Sequence, residues 1–167
     1  LADAVYFCRN DRDFTLMETG IGVTELAGYS LKEIGEDMGD RLIELVHPED
    51  RERVRKDFDE QLKHGTEVKE EIRLLHKNGD IRWVLCNSRL QVDAQGREYL
   101  SNAITDITHF KRSNETLRST LDRYEIILAQ TENVLFEWDL LTDVIDFSGT
   151  WEKIFGFRPI RKSLRQQ

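Results

Sequence analysis

Cysteine is scarce in this chain. Cys8 and Cys86 are the only two, far apart and outside any CxxC spacing, which excludes a disulfide framework and a thiolate zinc site. Positive charge is in deficit as well. A net charge of -8 argues against a duplex nucleic-acid binder, which needs a basic face. There is no run of about 18 apolar residues and no charged-then-apolar leader before Leu1, so the segment reads as free of membrane spans and as cytoplasmic. Both ends look cut from something longer. Catalytic signals are missing too: there is no Ser/His/Asp or Cys/His grouping at motif spacing and no phosphate-cradling glycine loop. No catalytic residue is assigned. His47, His64, His76 and His109 are scattered without ligand spacing, so no metal site is expected, and His64 reads as a helix cap beside Gly65. What remains is an ordinary soluble balance, 39% hydrophobic and 34% charged.

The most organised stretch spans 106–131, which neither glycine nor proline interrupts. Ile107, Asn114, Leu121 and Leu128 form one seven-residue series, and Phe110, Leu117, Tyr124 and Thr131 form the other. Steps alternating three and four keep one helix stripe facing a partner helix. The spacing predicts a coiled-coil linker helix over 107–131, seamed by Ile107, Phe110, Asn114, Leu117, Leu121, Tyr124 and Leu128. A single amphipathic helix lying on its own domain is the alternative. Asn114 on the first seam position favours a parallel homodimer, because a buried Asn there selects a two-stranded register.

Ahead of that helix, Ala4–Arg9 and Phe14–Glu18 are short β-prone runs joined by a polar turn, a predicted hairpin. Ile21–Leu26 reads as a short helix stopped at Gly28. Ser30-Leu-Lys-Glu33 has capping-box spacing and starts another short helix, and Gly35 and Gly39 break that region into pieces. His47-Pro48-Glu49-Asp50 opens a longer helix whose apolar stripe is Val54, Phe58 and Leu62, ending at Gly65. Its charged remainder reads as a solvated face. The period then changes to alternating: Glu67–His76, Ile81–Val92 and Arg97–Asp106 are strand-like, turned at Asn78-Gly79 and at Asp93–Gly96. The hairpin and this meander together predict an α+β fold, a five-stranded antiparallel sheet with helices on one face.

The chain also repeats itself. Val5-Tyr6-Phe7 returns as Val134-Leu135-Phe136, and Leu26-Ala27-Gly28-Tyr29 as Ile154-Phe155-Gly156-Phe157. The linker helix therefore joins one whole module, 1–106, to the truncated start of a like module, 132–167. Val134 to Phe147 reads as a strand pair too apolar for a free tail, expected to pack on the first module, to pack on another chain or to be poorly ordered.

Glu71-Ile72-Arg73, Asn78-Gly79, Arg82-Trp83-Val84, Gly96 and Asp106-Ile107-Thr108 resemble the C-terminal half of a PAS domain, of the kind found in bacterial sensor histidine kinases and diguanylate cyclases. Gly28-Tyr29-Ser30 and His47-Pro48-Glu49-Asp50 match the helical middle of that family. The resemblance implies a sensory, signal-transducing module that binds a small molecule or merely pairs. It also implies relay through the helix that begins at Asp106 and Thr108, to an output enzyme domain in the same parent protein.

Strand alternation places Ile72, Leu74, Val84, Cys86, Ser88, Leu90, Leu100, Asn102 and Ile104 on one face, and Glu71, Arg73, Trp83, Leu85 and Tyr99 on the other. On the first face, Ile72, Leu74, Val84, Cys86, Ser88, Leu100, Asn102 and Ile104 are the candidate ligand pocket. Cys86, Ser88 and Asn102 are its polar members, either orienting a ligand or simply satisfied by their neighbours. Flavin-binding relatives carry a helical Asn-Cys-Arg motif and sheet amides. This chain has no such cysteine and has Leu74, Val84 and Ile104 where the amides would align, so flavin is not expected. Haem-binding relatives use a histidine near the long helix; His64, the nearest, reads as a cap, so haem is not expected either. Three functions stand at this point: a ligand-responsive regulatory module, a ligand-free dimerisation and relay module, and a small α+β enzyme with a conical pocket.

Overall fold

The computed structural model describes residues 3–20, 22–130, 136–147 and 150–157. It divides into two compact units, Leu1–Arg112 and Ser113–Gln167. In the first, strands β1 (Ala4–Arg9), β2 (Leu16–Thr19), β3 (Glu67–Leu75), β4 (Ile81–Val92) and β5 (Glu98–Asp106) form one antiparallel sheet ordered β2-β1-β5-β4-β3. Helices α1 (Val23–Ala27), α2 (Leu31–Met38) and α3 (Arg51–His64) fill the connection between β2 and β3, with 3-10 turns at Leu42–Leu45 and Pro48–Asp50. Sheet order follows from connection length. Tight turns at 77–80 and 93–96 fold β3, β4 and β5 into a meander. The long helical connection carries the chain from β2 at one edge of the sheet to β3 at the other, so that the meander returns β5 beside β1.

The local chemistry explains the element boundaries. Ser30 and Glu33 close the reciprocal capping box: Glu33 N–H donates to Ser30 Oγ at 3.3 Å, and Ser30 N–H donates to Glu33 Oε2 at 2.9 Å. Gly35, expected as a break, lies inside α2, and only Gly39 ends the helix, in the left-handed region. One interior glycine costs about 1 kcal/mol, too little to break a capped helix. Val54 and Phe58 are the buried stripe of α3, while Leu62 is only partly buried. The expected solvated face is not simply solvated. Arg53 reaches the carboxylates of Asp57 and Glu70, and Arg55 reaches Asp13 and the Arg12 carbonyl. His64 is exposed and pairs with Glu60 at 3.5 Å rather than capping the helix.

Inner residues of the sheet meet the helices in one core: Ala4 and Cys8, Val68 and Ile72, Val84 and Cys86, Leu100 and Ile104, against Val23, Leu26, Ile34, Ile43, Val54 and Phe58. Asp50 is buried beside this core. Its carboxylate accepts two hydrogen bonds from Arg73, at 2.8 and 2.6 Å, tying the start of α3 to β3.

Helix α4 (Thr108–Gln130) matches the predicted linker helix, whose last position, Thr131, lies outside the described residues along with Val134 and Leu135. Phe110, Leu117, Leu121 and Tyr124 are each more than half exposed. Asn114 is exposed as well.

In the second unit β6 (Phe136–Asp139) and β7 (Val144–Phe147) pair antiparallel, followed by α5 (Thr150–Phe155). Within the second unit every residue of β6 is exposed, while Val144, Ile145 and Phe147 of β7 are partly buried. A hairpin and one short helix supply no second layer. Aromatic packing of Phe147 on Trp151, at 4.5 Å between centroids, covers part of β7 instead. Local geometry recurs 128 residues apart. Asp11 and Asp139 each accept two backbone N–H groups through Oδ1, and Gly28 and Gly156 each end a helix at positive φ. Their N–H groups donate to the carbonyls of Thr24 and Glu152.

Candidate functional site

Between the helices and the inner sheet face lies a cavity of about 60 Å³. Of the expected pocket residues, Ile72, Leu74, Val84, Cys86, Asn102 and Ile104 line it. Ser88 and Leu100 do not; both are buried, but they are not part of the cavity wall. The rest of the lining comes from segments the alternation argument did not reach: Ala4, Tyr6 and Cys8 on β1, Phe14 on the β1–β2 turn, and Val23, Leu26, Ala27, Leu42, Leu45, Val46, Val54 and Phe58 on the helical side. Alternation along β1 (Ala4, Tyr6, Cys8) carried the signal for the first three. No charged side chain lines the cavity.

Cross-strand register assembles the polar wall. Tyr6 on β1, Asn102 on β5 and Ser88 on β4 are direct neighbours in one row. Ser88 Oγ donates to Asn102 Oδ1 at 2.5 Å, and Asn102 Nδ2 donates to Cys8 Sγ at 3.3 Å and to the Leu100 carbonyl at 3.2 Å. Cys86 Sγ lies 3.2 Å from Ser88 Oγ. Tyr6 stands at the end of this row, partly buried beside Asn102. Burial pushes the Cys8 thiol up to about 12, the Cys86 thiol up to about 11, and the Tyr6 phenol well above its ordinary value. All three stay protonated at neutral pH, so the row is an uncharged hydrogen-bonded network and the cysteines are poor nucleophiles.

At the far end of the sheet, β5 passes into α4. Thr108 N–H donates to Asp106 Oδ1 at 2.8 Å, so Asp106 is the acid that caps the first turn. Thr108 does something else. Its hydroxyl oxygen accepts from Trp83 N–H at 2.9 Å, and Ile107 N–H donates to the Trp83 carbonyl at 2.8 Å. The ladder between β4 and β5 thus runs one residue into the helix, with a side-chain oxygen replacing a carbonyl. Asp3 joins the junction by accepting from Asp106 N–H at 2.7 Å. Outside, Lys111 Nζ lies 5.0 Å from the Trp83 ring centroid and also reaches Glu71, partly covering the outer face. Tyr99 packs on Phe7 there, at 6.2 Å between centroids.

Other features carry less chemistry. A larger surface groove of about 590 Å³ beside α3 is lined by Asp11, Glu52, Asp59 and Glu60 against Arg12, Arg55, Lys56 and Lys63, which balance in charge. Among the described residues no group of three His, Cys, Asp or Glu could hold a metal, and no helix is long and apolar enough to cross a membrane.

Comparison with known proteins agrees with this architecture. The PAS fold family model matches residues 21–105. Solved structures with the same fold include a sensory box histidine kinase/response regulator from Burkholderia thailandensis, 23% identical, covering 73% of this chain and 89% of its own, with a TM-score of 0.57. A PAS domain from Colwellia psychrerythraea is 22% identical over 64% of this chain and 86% of its own, TM-score 0.53. The N-terminal domain of a diguanylate cyclase with PAS/PAC sensor from Marinobacter aquaeolei is 21% identical over 65% and 97%, TM-score 0.51. No curated protein matches the chain. With the family model spanning half of the chain and the sheet order, helical connection and exit helix all in place, the chain belongs to the PAS fold family.

Proposed function

We propose that residues 1–106 are a non-catalytic sensory module of a cytoplasmic signalling protein. It pairs through α4 as a parallel homodimer and passes a change in the cavity along that helix to an output domain. The carrying observation is the continuity between cavity and helix. Val84 and Cys86 line the cavity, and their neighbour Trp83 holds the first residues of α4 through its own N–H and carbonyl. A shift of β4 by a bound molecule would therefore pull on Ile107 and Thr108 directly. The apolar stripe of Phe110, Leu117, Leu121 and Tyr124 gives a partner helix something to bury, with Asn114 setting the register. Similar domains belong to proteins named as a histidine kinase/response regulator and a diguanylate cyclase, which suggests an output of that kind. The recurrent turn, strand and glycine stop at a spacing of 128 residues support reading 132–167 as the start of a second such module. A cavity of about 60 Å³ is far below the roughly 300–1,000 Å³ of a drug-sized site, which counts against flavin and haem. The same small volume favours, as a second reading, relay without any ligand.

Asp106→Ala and Asn114→Leu test the relay. In a signalling protein carrying this segment, Asp106→Ala should uncouple output while the module stays folded, since a lost cap costs only about 0.5–2 kcal/mol. Asn114→Leu should tighten the dimer and bias or lock output. Unchanged output and unchanged dimer affinity in both folded variants would leave a passive tether.

A further inference from the structure

The first turn of α4 is held from more than one side. The Trp83 backbone of β4 holds Ile107 and Thr108, and Asp3, ahead of β1, accepts from the N–H of Asp106. Lys111, one turn further on, reaches β3. Its ammonium pairs with the Glu71 carboxylate while lying 5.0 Å from the Trp83 ring centroid. Glu71 and Trp83 stand on neighbouring strands, in the outer-face rows either side of the Ile72–Val84 pair. Ile72 and Val84 face the other way and line the cavity. Lys111 therefore spans β3 and β4 directly behind the cavity wall, and a slide of one strand against the other separates the two groups it bridges.

We propose that Lys111 is the positioning residue that latches α4 onto β3, and that release of this latch is the step by which a shift at the cavity wall frees the helix. The proposal deepens, and rests on, the relay reading above. The contact suits a latch because it is weak. The Lys111 and Glu71 side chains are 35% and 49% exposed, so water screens their attraction. An exposed ion pair changes an equilibrium by about 1.5- to fivefold, and an exposed cation–π contact by about two- to fivefold. Together they hold the turn closed by about three- to thirtyfold beyond what the backbone contacts supply. That biases the junction, yet a small shift of β3 or β4 can undo it. The backbone contacts of Trp83 cannot sense such a shift, because they move with β4 alone.

Amide hydrogen exchange on the full chain reads the latch directly, as the population of the open turn. Lys111→Met should speed exchange at Ile107 and Thr108 by about three- to thirtyfold and leave the interior strand β5 unchanged. Glu71→Gln should give only the ion-pair share, about 1.5- to fivefold. Lys111→Arg, which keeps both the carboxylate and the ring contact, should restore the natural rates. In a signalling protein carrying this segment, Lys111→Met should shift output and Lys111→Arg should not. Unchanged exchange at Ile107 and Thr108 in Lys111→Met would overturn the latch. So would equal acceleration along β5, the mark of a general loss of stability, or unchanged output from a Lys111→Met variant whose junction exchanges faster. If output still responds to Asp106→Ala, only the latch falls; if it responds to neither change, the relay reading falls with it.

Discussion

Replacing Arg73 by Met should be among the most damaging single changes in the first unit that leave its core residues intact. Arg73 holds Asp50 through two charge-assisted hydrogen bonds, and Asp50 is only 7% exposed. Breaking a buried pair from one side typically costs about 3–5 kcal/mol, because the remaining charge stays buried without compensation. Here the penalty is softened: the Arg73 side chain is a quarter exposed, and Arg53 remains 3.9 Å from Asp50 Oδ2. We expect about 2–3 kcal/mol for Arg73→Met, hence a fall in Tm of roughly 8–24 °C at about 4–8 °C per kcal/mol. Asp50→Asn should cost less, since Arg73 can turn to solvent and to Glu49 at 3.2 Å. The pH dependence has a fixed sign. Hydrogen bonds from Arg73 lower the Asp50 pKa in the folded state, so the pair stabilises above the ordinary carboxylate pKa. That contribution disappears as pH falls through the lowered folded value. The gap between wild type and Arg73→Met should therefore be level from neutral pH to about 5 and close in stronger acid. Urea unfolding of both variants and the double variant measures all three numbers. A gap under about 0.5 kcal/mol at neutral pH, or one that widens in acid, would refute the buried-pair account. The same pair fixes the helical side of the cavity, because His47 N–H donates to the Arg73 carbonyl beside the Val46–Leu74 bridge.

Gly28→Ala should destabilise the first unit by about 1–3 kcal/mol, because φ is +76° there and a Cβ would meet His76 Nε2 at 2.4 Å. Adding His76→Ala should recover the steric part but not the backbone part, which thermal unfolding of the three variants separates. Cys8 and Cys86, each 1% exposed with raised pKa values, should resist an aromatic disulfide reagent at pH 8 in the native state and react together in urea. At a pKa of about 11 only about one thiol in a thousand is ionised there, so rapid native-state labelling would contradict the buried network.

Much of the architecture was legible in local sequence because its causes are local. Gly79 and Gly96 supply the positive φ that their turns require, Ser30 and Glu33 satisfy each other within one helical turn, and period-two alternation marks β3 to β5. Heptad spacing likewise marked α4, and the Asp106–Thr108 pair marked its start, although not which residue does what. Thr108 turns out to bind Trp83 rather than cap the helix, an arrangement that depends on β4 lying beside β5. Tertiary structure alone decided the site. Tyr6 and Asn102 are 96 residues apart, and they become neighbours only because the helical connection crosses the sheet and the meander returns β5 to pair with β1 in one particular register. Asp50 belongs to the His47-Pro48-Glu49-Asp50 run that opens α3, yet its carboxylate is claimed by Arg73 from another element. Periodicity states which face a side chain takes. It cannot state what stands opposite, because strand order and register are settled by burying the whole apolar face at once.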